Sequence, residues 1–427
     1  MATQSGSLIA KNAIFRNFLA ASSISLLGNN IFDIAIPLYI VQKTTDPMVL
    51  SLANLALTLP FFLMAPFTGF TVDNFDKRKV MLASDLGQIL CLLALLVFEH
   101  YQTSQFWPVF CVIFFAKTLM ITFETVATFQ LIPALVKDND LNEANSWFLS
   151  SQRLIQILGP LIAGILMSTS GIRACVWTNI FSFLATLFFV LKMKNLNEII
   201  SGEIHTQYKR KMTVGGVIDS FLDSLKYVWE SPLFRPFILM MFVWNMSALV
   251  PNTPSVIYYF TVEKNLSSSE YGTVASAFGL VGVVGFLLSG KLYQKYFFYR
   301  PFVFGSIFFA LTGSLSLLFF NQPYILAALF ALSRIGSSVV TMGTFLLRQT
   351  NIPKSKMGGI NAALRMFFMS SAPLAALLQG FLIKQFNVKL SFVVGAFFLW
   401  VTVWLSKRVA VAYLAVGTKK SVHYKAA

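Results

Sequence analysis

Runs of about twenty apolar residues recur along this chain from end to end, and a helix of that length crosses the ~30 Å hydrocarbon layer of a bilayer. They fall near 18–41, 50–72, 80–99, 107–130, 146–168, 174–191, 236–260, 271–293, 301–320, 324–347, 359–383 and 388–408. Lipid gives an open backbone no hydrogen-bond partner, so each run must close its own bonds as a helix. Composition agrees: 56% of the 427 residues are hydrophobic and 12% charged, against roughly a quarter charged in a soluble domain. The sequence therefore predicts an all-α membrane protein of twelve transmembrane helices. The first run is long enough to span and lacks a following small-residue cleavage site, so it is expected to stay as the first helix.

The net charge of +16 does not point to nucleic acid, because the basic residues lie between apolar runs rather than on one polar face. If both termini are cytoplasmic, 24 of the 33 Lys and Arg residues fall in inside segments and five outside. That bias fixes the expected orientation by the positive-inside rule. It implies a multi-pass protein of the cell (inner or cytoplasmic) membrane, with the lipid bilayer as its main partner. Cys91, Cys111 and Cys175 all sit within apolar runs, which leaves neither a disulfide framework nor a CxxC metal site.

The longest polar interruption divides the runs six and six. We expect an N-terminal six-helix bundle at 1–191, a cytoplasmic linker at 192–235 with an amphipathic stretch around Val217 to Trp229, a C-terminal six-helix bundle at 236–410, and a cytoplasmic tail at 411–427. The halves echo one another. Gly69 is matched by Gly290, Lys117 by Arg334, Ile132-Pro133 by Ile352-Pro353, Asn145 by Asn361, Arg153 by Arg365 and Pro160 by Pro373, each displaced by roughly half the chain. Six matches in one order suggest two six-helix repeats.

The segment Gly69-Phe-Thr-Val-Asp73-Asn-Phe-Asp76-Lys77-Arg78-Lys79 resembles the G-x-x-x-D-R-x-G-R-R/K loop signature between spans 2 and 3 of major facilitator transporters. It departs from that signature at Asn74, where Arg is usual, and at Asp76, where Gly is usual. Tyr39 to Leu52, Ile132-Pro-Ala-Leu, Leu141-Asn-Glu-Ala-Asn145, Gly159-Pro160 and Arg348-Gln-Thr-Asn-Ile-Pro353 to Gly358 look like macrolide-efflux-type drug:proton antiporters. The resemblance implies the major facilitator fold, with halves that rock about a central site. It also implies gating by the loop of Gly69, Asp73, Arg78 and Lys79, and an antiporter-type helix motif at Gly159, Pro160 and Gly164.

Ionisable residues at bilayer depth are costly and mark function by default. Asp33 and Glu124 lie well inside spans 1 and 4. Neither Asp nor Glu occurs after Glu270, so an intramembrane proton carrier has to lie in the first half, and these two are the candidates. Asp33 stands four residues after Asn29, on the same helix face. A static pairing of Glu124 with Lys117 or Arg153 is the competing expectation. Asp85 is read as a carboxylate at the cytoplasmic edge bonded to a nearby loop. Asn29, Asn30, Lys117 and Arg334 are the candidate cavity residues, while Arg153 and Arg365 fit snorkelling equally well.

Together with that resemblance, which implies export, these residues point to a secondary transporter that moves an amphipathic small molecule in exchange for protons and is expected to act as a monomer. A transporter of an anionic metabolite or siderophore is the alternative, since cations outnumber acids deep in the spans. An enzyme is disfavoured: His100, His205 and His423 lie in loops or the tail, and there is no metal-ligand cluster or phosphate-binding loop. No cofactor and no metal are expected.

Overall fold

The computed structural model describes residues 8–101, 106–137, 140–192, 214–247, 253–352 and 357–425. Every regular element among them is helical. In order they are α1 (Leu8–Lys11), α2 (Ala13–Lys43), α3 (Pro47–Asn74), α4 (Lys77–Tyr101), α5 (Phe106–Leu135), α6 (Leu141–Thr169), α7 (Gly171–Lys192), α8 (Val214–Glu230), α9 (Phe234–Asn245), α10 (Pro254–Tyr258), α11 (Ser268–Lys295), α12 (Tyr299–Ser316), α13 (Pro323–Asn351), α14 (Met357–Gln385) and α15 (Val388–Lys425). Eleven of these are long and apolar enough to cross a membrane.

The twelfth expected span, 236–260, is not one helix. It is divided into α9, α10 and a π-helical turn at Tyr259–Glu263. Proline explains the restart. Thr253 is extended, as the residue before a proline prefers, and Pro254 opens α10, where its missing N–H costs nothing. At the other end, α15 continues past the expected limit at 408 to Lys425. The amphipathic stretch of the polar interruption is helical, as α8.

Contacts group the chain into two compact units, Met1–Tyr39 with Pro66–Val217, and Ile40–Ala65 with Ile218–Ala427. The division falls inside α2 and α3. In the first unit, Leu8, Phe15, Phe18, Met81, Ile132 and Phe148 share a buried cluster. Asn12 ties α1 to it, donating from Nδ2 to the Leu135 carbonyl at 2.8 Å and accepting from Phe15 N at 2.9 Å. In the second, Tyr259 is fully buried among Phe260, Phe320 and Phe392 and donates its hydroxyl to the Phe320 carbonyl. The first part of α3 belongs here, with the Arg365 guanidinium 5.9 Å from the Phe61 ring.

Candidate functional site

The first unit holds a chain of buried polar groups built from α2, α4, α5 and α7. Lys117 on α5 is 1% exposed, and its Nζ donates to Asn29 Oδ1 on α2 at 2.9 Å. Asn179 on α7 donates to the same oxygen at 3.4 Å and accepts from Ser182 Oγ at 3.2 Å. Lys117 also lies 4.6 Å from the Phe32 ring centroid, on a column in which Phe32 stacks on Phe114 and Phe114 on Phe110, at 5.4 and 4.8 Å. A cation out of water gains from such ring faces. The α2–α7 approach depends on Gly28, where a Cβ would lie 2.1 Å from Ser182 Oγ.

Asp33 is one helical turn beyond Asn29, and its Oδ1 is buried without a hydrogen-bond partner among the described residues. The positive charge that acts on it is that of Lys117. Glu124 lies further along α5, accepting from Gln88 Nε2 at 2.7 Å and from Ser25 Oγ at 3.2 Å. Asp85, three residues before Gln88 on α4, has no exposed surface, and neither carboxyl oxygen is bonded among the described residues. The charge that acts on it is that of Glu124.

These positions alter two expectations. Glu124 makes no direct bond to Lys117, which is held by Asn29, or to Arg153, which donates to Gln156 at 2.9 Å. Asp85 is not bonded to a loop among the described residues, because the packing of α4 on α5 buries it beside Glu124. Among the described residues the ion pairs are Arg173 with Glu99 and Lys384 with Asp46, both away from this cluster.

Asn30 faces α6, where a Cβ on Gly159 would meet its Oδ1 at 2.8 Å. Pro160 and Gly164 are buried on the same helix. In the loop signature, Arg78 bonds the last turn of α7, from Nε to the Val190 carbonyl at 3.0 Å and from an Nη to the Leu191 carbonyl at 2.9 Å. Asp76 accepts from Arg78 N at 2.9 Å and so caps α4. Lys79 is exposed. Gly69 and Asp73 lie on α3, and the surroundings of both fall outside what is described.

Arg334 sits on α13 in the second unit. It donates to Ser337 Oγ and lies 5.6 Å from the Phe309 ring, which packs on Trp244 at 4.6 Å. Its Nη1 is buried without a hydrogen-bond partner among the described residues. Each unit thus holds a cation against a phenylalanine ring, bonded to a neutral oxygen instead of a carboxylate. Among the described residues no three His, Cys, Asp or Glu side chains gather as metal ligands.

The family model described as the Major Facilitator Superfamily matches residues 18–297 and 252–423. The chain belongs to the Major Facilitator Superfamily. Macrolide efflux protein A of Streptococcus pyogenes is 30% identical over 167 residues, 38% of this chain and 40% of that relative's length. The enterobactin exporter EntS of Citrobacter koseri is 25% identical over 366 residues, 83% of this chain and 82% of that one. A bacterial homologue of the iron transporter ferroportin, in its inward-facing state, shares the fold with a TM-score of 0.75 at 18% identity, covering 95% of this chain and 100% of its own. The superfamily is one of transporters, not enzymes, and this member is a multi-pass membrane protein.

Charge at bilayer depth marks Asp33, Glu124 and Lys117, whereas four neutral partners that join Asn29 in the cluster carry no such mark. Ser25, Gln88, Asn179 and Ser182 are polar residues inside apolar helices, and their signal was spacing. Asp85 and Gln88 share one face of α4, and Asn179 and Ser182 one face of α7.

Proposed function

We propose that this superfamily member exports an amphipathic, drug-like or natural-product compound across the cytoplasmic membrane in exchange for protons, by alternating access. The observation that carries this reading is the buried Asp33 Oδ1, unbonded, in the field of Lys117. A carboxyl taken out of water without a bonded counter-charge exchanges a proton as its surroundings change. Asp33 and Glu124 are the proposed carriers. Gln88 and Ser25 hold Glu124 in place, and Lys117 answers to the charge on Asp33. Asn29, Asn30, Lys117 and Arg334 are the proposed cargo contacts, and the loop of Gly69, Asp73, Arg78 and Lys79 the proposed gate. The chain works as a monomer with both termini in the cytoplasm, the side favoured by 24 of its 33 basic residues.

A second reading, export of an anionic compound such as a siderophore, is favoured by Arg334. Its buried Nη1 has no partner among the described residues, and no Asp or Glu follows Glu270. The enterobactin exporter is the relative consistent with it. Accumulation of a macrolide, ethidium and a catecholate in cells with and without the protein separates the two. Exclusion of macrolide or ethidium that an uncoupler abolishes supports the first reading. Exclusion confined to the catecholate supports the second, and equal accumulation of all three defeats both.

A further inference from the structure

We propose that the groove between α11 and α12 binds an anionic phospholipid, with Lys291 and Lys295 on its phosphate and one acyl chain along α13. The two helices follow one another in the chain, yet each packs along α13 and they scarcely touch. Small residues are the cause. A Cβ on Gly285 would lie 2.8 Å from Ile335 Cα, so α11 rests on the α13 backbone. There Tyr293 donates its hydroxyl to the Val339 carbonyl at 3.0 Å, and Ser338 Oγ donates to the Gly282 carbonyl at 2.8 Å. On the other side, a Cβ on Gly336 would meet the Gly305 carbonyl oxygen at 2.6 Å and Phe309 N at 2.7 Å. Two helices held that closely to a third leave a channel between them.

The channel has a volume of about 380 Å³. Leu288, Leu292, Phe304 and Phe308 form its walls and Ile335 and Val339 its floor, with Lys291, Lys295 and Tyr296 at one end. Leu288, Lys291, Leu292 and Lys295 share one face of α11, and this face runs for about 10 Å. Leu288 and Phe304 are 42% and 61% exposed, so the channel opens sideways, where a membrane protein meets acyl chains. Water has almost nothing to bond to there, whereas a methylene chain fills such a space.

The headgroup follows from charge. Both lysines are exposed, and the sequence from Tyr271 to the end contains no carboxylate side chain to neutralise them. Tyr296, 41% exposed with its ring 5.5 Å from Lys295 Nζ, adds a hydroxyl at the height where tyrosines meet headgroups. A phosphate without a choline cation suits this pair, and a phosphatidylcholine does not. The charge bias puts this end of α11 in the cytoplasmic leaflet. The assignment does not depend on the proton or cargo reading.

The test uses the full chain in detergent with phosphatidylglycerol or phosphatidylcholine of identical chains, counting bound lipids by native mass spectrometry. The wild type should retain phosphatidylglycerol in preference. Lys291→Gln with Lys295→Gln should weaken that preference roughly thirtyfold, about fivefold per lysine. Lys291→Arg with Lys295→Arg should keep the preference, and Leu288→Trp, which narrows the channel from its exposed wall, should reduce retention of both lipids. Equal retention of the two lipids by the wild type would overturn the proposal. So would an unchanged preference in the glutamine variant, or a loss in the arginine variant as large as in the glutamine one.

Discussion

Gly28 has no room for a methyl group. A Cβ there would lie 2.1 Å from Ser182 Oγ and 2.8 Å from Asn179 Oδ1, so Gly28→Ala should destabilise the protein by roughly 1–3 kcal/mol. Adding Ser182→Ala should recover part of that loss, measured as the midpoint of thermal unfolding in detergent. Glu124 and Lys117 use separate partners, Gln88 and Ser25 for one and Asn29 for the other. The stability losses of Glu124→Gln and Lys117→Met should therefore nearly add, and a large rescue in the double variant would show a direct pairing instead. Asp46, in the loop before α3, loses hydration, but its bonds to Lys384 Nζ and Met48 N outweigh that and hold its carboxyl below the usual carboxylate range. Its contribution is thus present above about pH 4 and lost on acidification below it. Asp46→Asn should flatten that part of a stability-against-pH curve, by a small amount because both side chains are partly exposed. Asp33, Glu124 and Lys117 were legible in the sequence because a charge inside an apolar run stands out. Asp85 was misplaced because depth counted from the end of a run says nothing of a neighbouring helix, and it is α5 that brings Glu124 beside it.

At the scale of elements, the apolar runs gave eleven long helices directly, since lipid makes each run close its own hydrogen bonds. The restart within the seventh segment was written in Pro254, but hydropathy averages over such a residue. The start of α11 carries a capping box, Ser267-x-x-Glu270, which the count of apolar runs passes over. Ser267 Oγ accepts from Glu270 N, and Glu270 accepts from Ser267 N at 2.8 Å. Ser267→Ala should cost about 1 kcal/mol in thermal stability. The contact of Arg78 with the last carbonyls of α7 was not legible, because it joins helix ends 112 residues apart. If the loop is a gate, Arg78→Gln should lower transport turnover well beyond its effect on stability. Loss of turnover only in step with lost protein would leave Arg78 a purely structural tie.

At the scale of the molecule, the six matched positions suggested two repeats, and the structure forms two compact units whose border runs inside α2 and α3. The sequence could not place that border, because helices of one length and polarity look alike until their partners are known. The acids are divided unevenly: intramembrane carboxylates lie in the first unit, while the second keeps Arg334 without one. The proposed proton carriers accordingly belong to the first unit. The most direct measurement is uptake into proteoliposomes, under an imposed pH gradient, of the panel compound that cells exclude most, with a pH-sensitive dye on the proton side. Wild-type uptake should follow the gradient and be matched by proton movement the other way, while Asp33→Asn with Glu124→Gln should equilibrate the compound without responding to the gradient. Full gradient-driven uptake by that double variant, or wild-type uptake indifferent to the gradient, would contradict the account.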